Sequence, residues 1–134
     1  MIPSVDCTIL GDSIAVGVSR VMSECRSDAA IGRATPHQSV PLGTSRLVVI
    51  SLGSNDSNEA TAERNLRHLR SSVRAERVVW LIPTAPLGVR EVVRRVAHDF
   101  GDRIIDVQPQ VGRDGVHPTE TGYHRLAQAI RNSR

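Results

Sequence analysis

Residues 10–17, with the sequence LGDSIAVG, join two segments that differ in hydrophobic pattern. Before this stretch, the apolar run at residues 5–10 predicts a buried β-strand, and after it the spacing of apolar residues over 14–22 predicts a helix. Ser13 therefore stands at a strand-to-helix turn, with an exposed hydroxyl and with its backbone N–H at a helix N-terminus, where positive partial charge favours an oxyanion. A nucleophilic serine fits this position, but Ser and Asp before a helix are also ordinary N-caps.

The alternation of strand-like and helical patterns continues along the chain. Further apolar runs predict strands at residues 29–31, 47–52, 78–82 and 104–107, and apolar residues at helical spacing predict helices at about 59–74, 89–100 and 119–132. No helix is evident between the second and third strands, where the connection over 32–45 is long and irregular. Together these patterns predict an α/β domain with a parallel sheet.

The composition agrees with a single domain of this class. The chain has 134 residues, which is enough for one core, and we expect one domain over residues 1–134. Hydrophobic residues make up 40% of the sequence but aromatic residues only 2%, so aliphatic side chains must fill the interior. Such a core is typical of a parallel sheet covered by helices on both faces.

The charge of the chain is small for its size. Its 17 arginines exceed its 14 acidic residues by a net charge of +3, and it has no lysine. A scattered excess of this kind predicts solvated faces rather than a nucleic-acid site, although contact with an anionic polymer stays open. No apolar run reaches transmembrane length, so no membrane association is expected.

Cysteine usage and the N-terminus bear on the cellular compartment. Cys7 and Cys25 are too few for a disulfide framework, and Cys7 lies in the first predicted strand, where a free thiol packs as a small hydrophobe. Free thiols and a reducing compartment are therefore expected. The N-terminus lacks the basic and long apolar segments of a signal peptide, which favours a cytoplasmic location. A component of a phage particle is an equally open alternative.

Polar residues follow the predicted strands, at the edge where open parallel sheets bind ligands. Ser13 follows the first strand, Gly32 the second, and residues 53–56, Thr84 and residues 114–118 follow the later ones. Together these segments contain a hydroxyl, an imidazole, carboxylates and amide donors. These are the groups that an acyl-transfer site requires.

The candidate roles follow from the chemistry of each group. A serine hydroxyl needs a base to take its proton, and His117 is the candidate because imidazole can accept and return a proton at neutral pH. Asp114, three residues earlier, can reach the other ring nitrogen within one tight turn. The backbone N–H groups of Ser13 and Gly32 and the side-chain amide of Asn55 are the predicted donors to an oxyanion.

Three of these segments, taken in order, resemble the sequence blocks of the SGNH hydrolases, also called GDSL esterases. Residues 11–13 (GDS) match the first block, 53–56 (GSND) the third and 114–118 (DGVHP) the fifth. Residues 31–35 (IGRAT) match the second block only loosely. Each segment follows a predicted strand, and the resemblance spans nearly the whole chain.

The resemblance implies a three-layer α/β/α sandwich around a five-stranded parallel sheet with flavodoxin-like strand order. It implies a triad of Ser13, His117 and Asp114. The implied oxyanion hole consists of Ser13, Gly32 and Asn55. The implied reaction is hydrolysis of an ester or thioester, or removal of an acetyl group from a sugar, through an acyl-enzyme and without a metal or organic cofactor. The implied substrate is therefore a small ester or an acetylated carbohydrate.

The chain is short for this family, so its loops can build only a shallow, open groove, which favours a short acyl group. His37, in the long connection, and Thr84, after the fourth strand, are candidates for the wall of this groove, with an ordinary loop or turn as the alternative. Asp12 and Asp56 are expected to bond nearby backbone N–H groups. Tyr123 is expected to pack the last helix on the sheet.

Two other function classes remain open. Asp12, Asn55, Asp56, Asp114 and His117 include ligand types for a divalent metal, as in a metallophosphoesterase, although such a site normally needs more than one histidine. The other alternative is a non-catalytic module that binds glycans or an anionic polymer. The sequence does not indicate the oligomeric state.

Overall fold

The computed structural model describes residues 5–133. Within them, the β-strands are β1 (Val5–Gly11), β2 (Arg26–Ala29), β3 (Ser45–Ser51), β4 (Ala75–Ile82) and β5 (Arg103–Asp106). The α-helices are α1 (Ser13–Val21), α2 (Glu59–Ser71), α3 (Leu87–Asp99) and α4 (Glu120–Asn132). The strands form one parallel sheet in the order β2-β1-β3-β4-β5. The predicted α/β class and flavodoxin-like strand order are confirmed.

The helices cover both faces of the sheet. Alternate side chains of a strand point to opposite faces. On β3, Leu47 and Val49 pack in one apolar cluster with α1 and α4. Val48 and Ile50 pack in a second cluster with α2 and α3. Because both faces of the central strands are buried, their sequences are continuous apolar runs, and the result is the predicted three-layer sandwich.

Side-chain caps fix where α1, α2 and α4 begin. The carboxylate of Asp12 accepts the N–H of Ile14, and the side chain of Asn58 accepts the N–H of Thr61 at the start of α2. Thr119 caps α4 in the same way. Such caps satisfy backbone donors that have no partner inside the helix, so each helix starts within one residue of its cap.

The second strand differs from the prediction. The sequence predicts it at residues 29–31, but β2 spans Arg26–Ala29 and Ile31 is 76% exposed. β2 is an edge strand that pairs only with β1, and none of its four residues is fully buried. The strand was predicted at the wrong residues because an apolar pattern arises only where a strand has a buried face, and β2 has none.

The long connection between β2 and β3 contains no α-helix, as the sequence predicted, but only a 3₁₀ turn at Thr35–His37. Arg33 orders this connection from within. Its guanidinium donates to the carboxylate of Asp28 (3.0 Å) and to the side chain of Gln38 (2.9 Å). The loop is therefore held in place by polar contacts instead of by a packed helix.

Helices α1 and α4 approach each other at a glycine. A Cβ atom on Gly17 would lie 2.2 Å from the ring of Tyr123, so only glycine fits there. Tyr123 packs beside the cluster shared by α1, α4 and the sheet. Tyr123, on the last helix, therefore packs against the cluster on this face of the sheet, as expected, and it also lies against α1 at Gly17.

Cys7 and Cys25 form a disulfide bond, with a Cα–Cα distance of 4.6 Å. The prediction of free thiols is wrong. Cys7 lies on β1 and Cys25 directly precedes β2, and Thr8 pairs with Arg26 in the register of these two strands. This adjacency brings the sulfurs together, and cysteine number alone does not reveal it. The inference of a reducing compartment loses its basis, and the cytoplasmic location stays a prediction.

None of the helices described between residues 5 and 133 is long and apolar enough to cross a bilayer.

Candidate active site

The turn between β1 and α1 is tied to the end of β3. The backbone N–H of Asp12 donates to the carbonyl of Ser51 (3.0 Å), and the hydroxyl of Ser51 donates to Asp12 Oδ1 (3.1 Å). A Cβ on Gly11 would lie 1.9 Å from the Ser51 carbonyl oxygen, so this close approach requires glycine. Ser13, the first residue of α1, is thereby held at the sheet edge with a partly exposed side chain.

Asp12 is a buried helix cap, as predicted. Its Oδ1 also accepts the N–H of Ile14 (3.1 Å), whereas Oδ2 has no hydrogen-bond partner in the described part of the chain. Burial raises the pKa of the Asp12 carboxyl to about 6, against the lowering effect of its bonds to Ser51 and Ile14. Asp12 therefore fixes the turn that carries Ser13. Because it is buried, its carboxylate is not accessible to a substrate.

The structure brings Ser13, His117 and Asp114 together in a chain of hydrogen bonds. The Oγ of Ser13 lies 3.0 Å from Nε2 of His117, although the two residues are 104 positions apart. The Nδ1 of His117 lies 2.6 Å from Oδ2 of Asp114. The side chains of His117 and Asp114 are each about half exposed. This connectivity, hydroxyl to imidazole to carboxylate, is that of a serine hydrolase triad.

Asp114 is fixed by its own loop. Its Oδ1 accepts the backbone N–H groups of Val116 (2.9 Å) and His117 (2.8 Å). These two bonds, followed by the bond to the His117 ring, lower the pKa of Asp114 to about 2. Gly115 has φ +70° in the intervening turn, a conformation that glycine adopts readily. The carboxylate therefore stays ionised across the neutral range and faces the imidazole in a fixed position.

Thr84 holds the same loop from the end of β4. Its hydroxyl donates to the carbonyl of Gly115 (2.7 Å), 31 residues away. The backbone N–H of Gly112 donates to the carbonyl of His117 (2.9 Å), which closes the loop on its other side. Thr84 thus contacts the loop that carries Asp114 and His117. Its predicted place in a groove wall stays a prediction.

Two of the three predicted oxyanion donors, Gly32 and Asn55, lie on loops that contact each other. Gly32 is exposed, with φ +79°, in a turn in which the N–H of Arg33 donates to the carbonyl of Ala30 (3.2 Å). The amide Nδ2 of Asn55 donates to the carbonyl of Arg33 (3.1 Å). One N–H of that amide is occupied by this bond, and the other has no hydrogen-bond partner among residues 5–133. Their role in an oxyanion hole is not settled by these contacts and stays a prediction.

Asp56 joins these two loops. Its carboxylate oxygens accept the backbone N–H (3.0 Å) and the hydroxyl (2.5 Å) of Thr35. The expectation of a bond to a nearby backbone group is wrong in one respect, since the partner is 21 residues distant. The sequence does not reveal that Asp56 pairs with Thr35; it shows only that a carboxylate lies next to Asn55. Asp56 thus fixes the 3₁₀ turn against the Asn55 loop.

His37 lies at the end of the 3₁₀ turn and is exposed. Its ring makes no hydrogen bond to any described residue. A cleft of about 190 Å³ opens beside this turn, where Pro36 and Asn55 form part of its wall and His37 does not. The predicted role of His37 in a substrate groove stays a prediction.

The candidate metal ligands do not assemble into one cluster. In the span from residue 5 to residue 133, no group of three or more His, Cys, Asp or Glu side chains is placed to hold a metal ion. Asp12 is buried as a helix cap, and Asp56 is occupied by Thr35. The residues that the phosphoesterase alternative requires are thus engaged in separate structural contacts.

The sequence matches no family model and no curated protein. Solved structures do resemble the fold. A protein of Bacteroides fragilis, provisionally described as an acylhydrolase, superposes with a TM-score of 0.72 at 17% identity, over 96% of this chain and 88% of its own. Est24, a carbohydrate acetylesterase from Sinorhizobium meliloti, superposes with a TM-score of 0.61 at 15% identity, over 96% of this chain and 97% of its own.

A third similar structure, from Desulfitobacterium hafniense, is provisionally described as a lipolytic protein of the G-D-S-L family. Its TM-score is 0.62 at 12% identity, over 95% of this chain and 98% of its own. At such identities the likeness concerns the fold. The chain shares the α/β/α fold of these structures, which is the fold that the resemblance to the SGNH hydrolases implied.

Proposed function

We propose that this chain is a serine esterase that hydrolyses short-chain carboxylic esters through an acyl-enzyme intermediate. The observation that carries the proposal is the continuous set of contacts from Ser13 Oγ through His117 to the carboxylate of Asp114. The position of Ser13 supports it further, since the first residue of a helix exposes a backbone N–H toward the reacting carbonyl.

In the first step, Ser13 Oγ attacks the ester carbonyl while His117 Nε2 takes its proton. The carbonyl π electrons move to oxygen, and the resulting oxyanion is held by the N–H groups of Ser13 and Gly32 and by the amide of Asn55. Collapse of this intermediate expels the alcohol, which receives the proton from His117. Asp114 keeps the ring in the tautomer that accepts at Nε2 and stabilises the imidazolium.

In the second step, water takes the place of the alcohol. His117 removes a proton from the water as its oxygen attacks the acyl-serine, and the same oxyanion donors hold the second tetrahedral intermediate. When it collapses, Ser13 leaves and recovers the proton from His117. The products are one carboxylic acid and one alcohol for each ester and water consumed.

The substrate that we propose is a small ester, in particular an O-acetyl group on a carbohydrate. The partial exposure of Ser13, His117 and Asp114 supports a shallow, open groove, and such a groove cannot cover a long acyl chain. The carbohydrate acetylesterase among the similar structures supports the same substrate class.

The test is release of p-nitrophenol from its acetate ester in the presence of EDTA. We expect the wild-type chain to be active, and Ser13→Ala and His117→Ala each to lower kcat by several orders of magnitude. Ser19→Ala is the matched control, since Ser19 lies on the same helix and its hydroxyl only contacts the Val16 carbonyl.

If kcat falls less than tenfold in both Ser13→Ala and His117→Ala, the proposed triad does not carry out the reaction. A chain inactive on the acetate ester but active on a phosphate ester with an added divalent metal would support the phosphoesterase alternative.

A further inference from the structure

The cleft of about 190 Å³ beside Asn55 lies between the 3₁₀ turn and the first two turns of α2. Ser57, Asn58, Thr61 and Asn65 contribute polar side chains to its wall. Its volume is below the roughly 300–1,000 Å³ of pockets for drug-sized ligands, so it suits a single small ring. The proposed catalytic mechanism uses none of these four residues.

Most of the hydrogen-bonding capacity in this cleft is unused. Within residues 5–133, the side chains of Ser57, Thr61 and Asn65 make no hydrogen bond. Asn58 uses only its Oδ1, which accepts the N–H of Thr61 (2.9 Å). Each free amide offers two donors and an acceptor, and each free hydroxyl offers a donor and an acceptor. The wall can therefore pair with several hydroxyl groups of one ligand.

These side chains are also presented by a rigid element. Asn58, Thr61 and Asn65 are spaced at i, i+3 and i+7, which places them along one side of α2. The adjacent side of the helix is anchored in the core by Ala62 and Leu66. A polar stripe held in this way loses little entropy when a ligand binds.

The charge of the cleft favours a neutral ligand. No arginine lines it, and its one carboxylate, on Asp56, has both oxygens occupied by Thr35. By contrast, a cavity of about 330 Å³ at the opposite edge of the sheet is lined by Asp6, Arg46, Glu76 and Arg77. The cleft beside Asn55 thus lacks the cations that would attract a phosphate or carboxylate group.

We propose that this cleft binds the sugar ring of an O-acylated carbohydrate, with the ring hydroxyls on Thr61 and Asn65 and the acyl group at Ser13. Asn55 connects the two sites, because it lines the cleft and is also a proposed oxyanion donor. The assignment rests on the proposed esterase function. It places the alcohol half of the substrate on α2 and leaves the acyl half in the open groove.

The kinetic test compares two acetates that share an acyl group, methyl 6-O-acetyl-glucopyranoside and hexyl acetate. Thr61→Val/Asn65→Leu keeps the side-chain shapes and removes their hydrogen bonds. We expect the ratio of kcat/KM, sugar ester over hexyl ester, to fall about tenfold or more through KM, since the variant loses two proposed hydrogen bonds to the sugar ring. Arg64→Leu, an exposed position on the same helix outside the cleft, is the control and retains the wild-type ratio.

A binding measurement separates this assignment from the esterase proposal. In a Ser13→Ala background, addition of the same sugar ester is expected to shift the backbone amide resonances of residues 57–65, and Thr61→Val/Asn65→Leu is expected to abolish the shifts. This readout does not require turnover. An unchanged ester ratio in the double variant, or shifts confined to other parts of the chain, would overturn the assignment even if Ser13 proves to be the nucleophile.

Discussion

The two halves of the candidate site are built in different ways. Ser13, His117 and Asp114 form one continuous hydrogen-bonded set, supported by a buried helix cap and by backbone donors. Gly32 and Asn55 lie on exposed loops that are bonded to each other through the carbonyl of Arg33. In the described part of the chain, no side-chain hydrogen bond joins one half to the other, and the Gly32 loop meets the Ser13 turn through the backbone bond from the N–H of Ala30 to the carbonyl of Gly11 (3.0 Å).

The first half already has its hydrogen bonds in the absence of substrate. Proton transfer needs the hydroxyl, ring and carboxylate in contact, and the structure already has these contacts. Oxyanion donors act on a charge that exists only in the intermediate, and the Gly32 turn follows an edge strand with few partners. We therefore expect changes in the first half to alter proton transfer, and changes in the second half to alter stabilisation of the oxyanion.

Among changes that leave Ser13 and His117 in place, the largest effect is expected from Asp114→Asn. Asparagine can still accept the loop N–H groups at Oδ1, but it presents an NH₂ group to His117 and favours the tautomer that cannot accept at Nε2. We expect kcat to fall on the order of 10³-fold or more, measured on p-nitrophenyl acetate. Asp6→Asn is the matched control, because Asp6 is exposed and its described ion pair is with Arg46. A loss below tenfold would show that the carboxylate does not orient the base.

A smaller effect is expected from Asn55→Ala. Loss of one oxyanion donor typically lowers kcat by about 10²–10³-fold, and here the second half of the site also loses its bond to Arg33. Asp56→Asn separates the two causes, since it weakens the loop contact to Thr35 but keeps the Asn55 amide. If both variants lose activity equally, Asn55 acts through loop position and is not an oxyanion donor.

The smallest effect is on stability, from Asp12→Asn in the first half. The folded pKa of Asp12, about 6, lies above the value near 3.8 of an exposed aspartate. Between these values the folded state keeps a proton that the unfolded state loses, so its contribution to stability is complete below pH 4 and falls as the pH rises through 6. Between pH 4 and pH 7.5, the free energy of unfolding of the wild-type chain should therefore fall by on the order of 2 kcal/mol relative to that of the variant.

Urea unfolding at pH 4 and pH 7.5 measures this difference, and subtracting the variant removes the contribution of other titrating groups. A constant difference between the two proteins at both pH values would show that Asp12 is not protonated in this range.

The parts of the site that depend on neighbouring residues could be predicted from the sequence. Asp114 and His117 are three residues apart, so one turn brings them together, and Ser13 follows a strand whose end is visible in the apolar pattern. Asn55 also follows a predicted strand, whereas Gly32 was located from a strand predicted at residues 29–31 that in fact ends at Ala29, and the oxyanion role of both residues stays a prediction. The resemblance to SGNH hydrolases added the strand order, which the structure confirms.

The features that the sequence did not reveal are contacts between distant segments. The bond from Thr84 to Gly115 spans 31 residues, and the pair of Thr35 and Asp56 spans 21. Both depend on which loops the finished sheet places side by side. The edge strand β2 was misplaced for a related reason, since a strand with one neighbour and no buried face leaves little hydrophobic pattern.

The disulfide between Cys7 and Cys25 closes a covalent ring that contains the proposed nucleophile, Ser13. Cys7 and Cys25 are 18 positions apart, and the segment between them includes the end of β1, Ser13 and all of α1. Closing a loop of this size removes unfolded-state entropy worth roughly 3 kcal/mol in the chain-entropy description. When the rest of the sheet opens transiently, the ring still limits how far Ser13 can move from β1. A reductant would therefore influence turnover through the folding of this ring and not through chemistry at the serine.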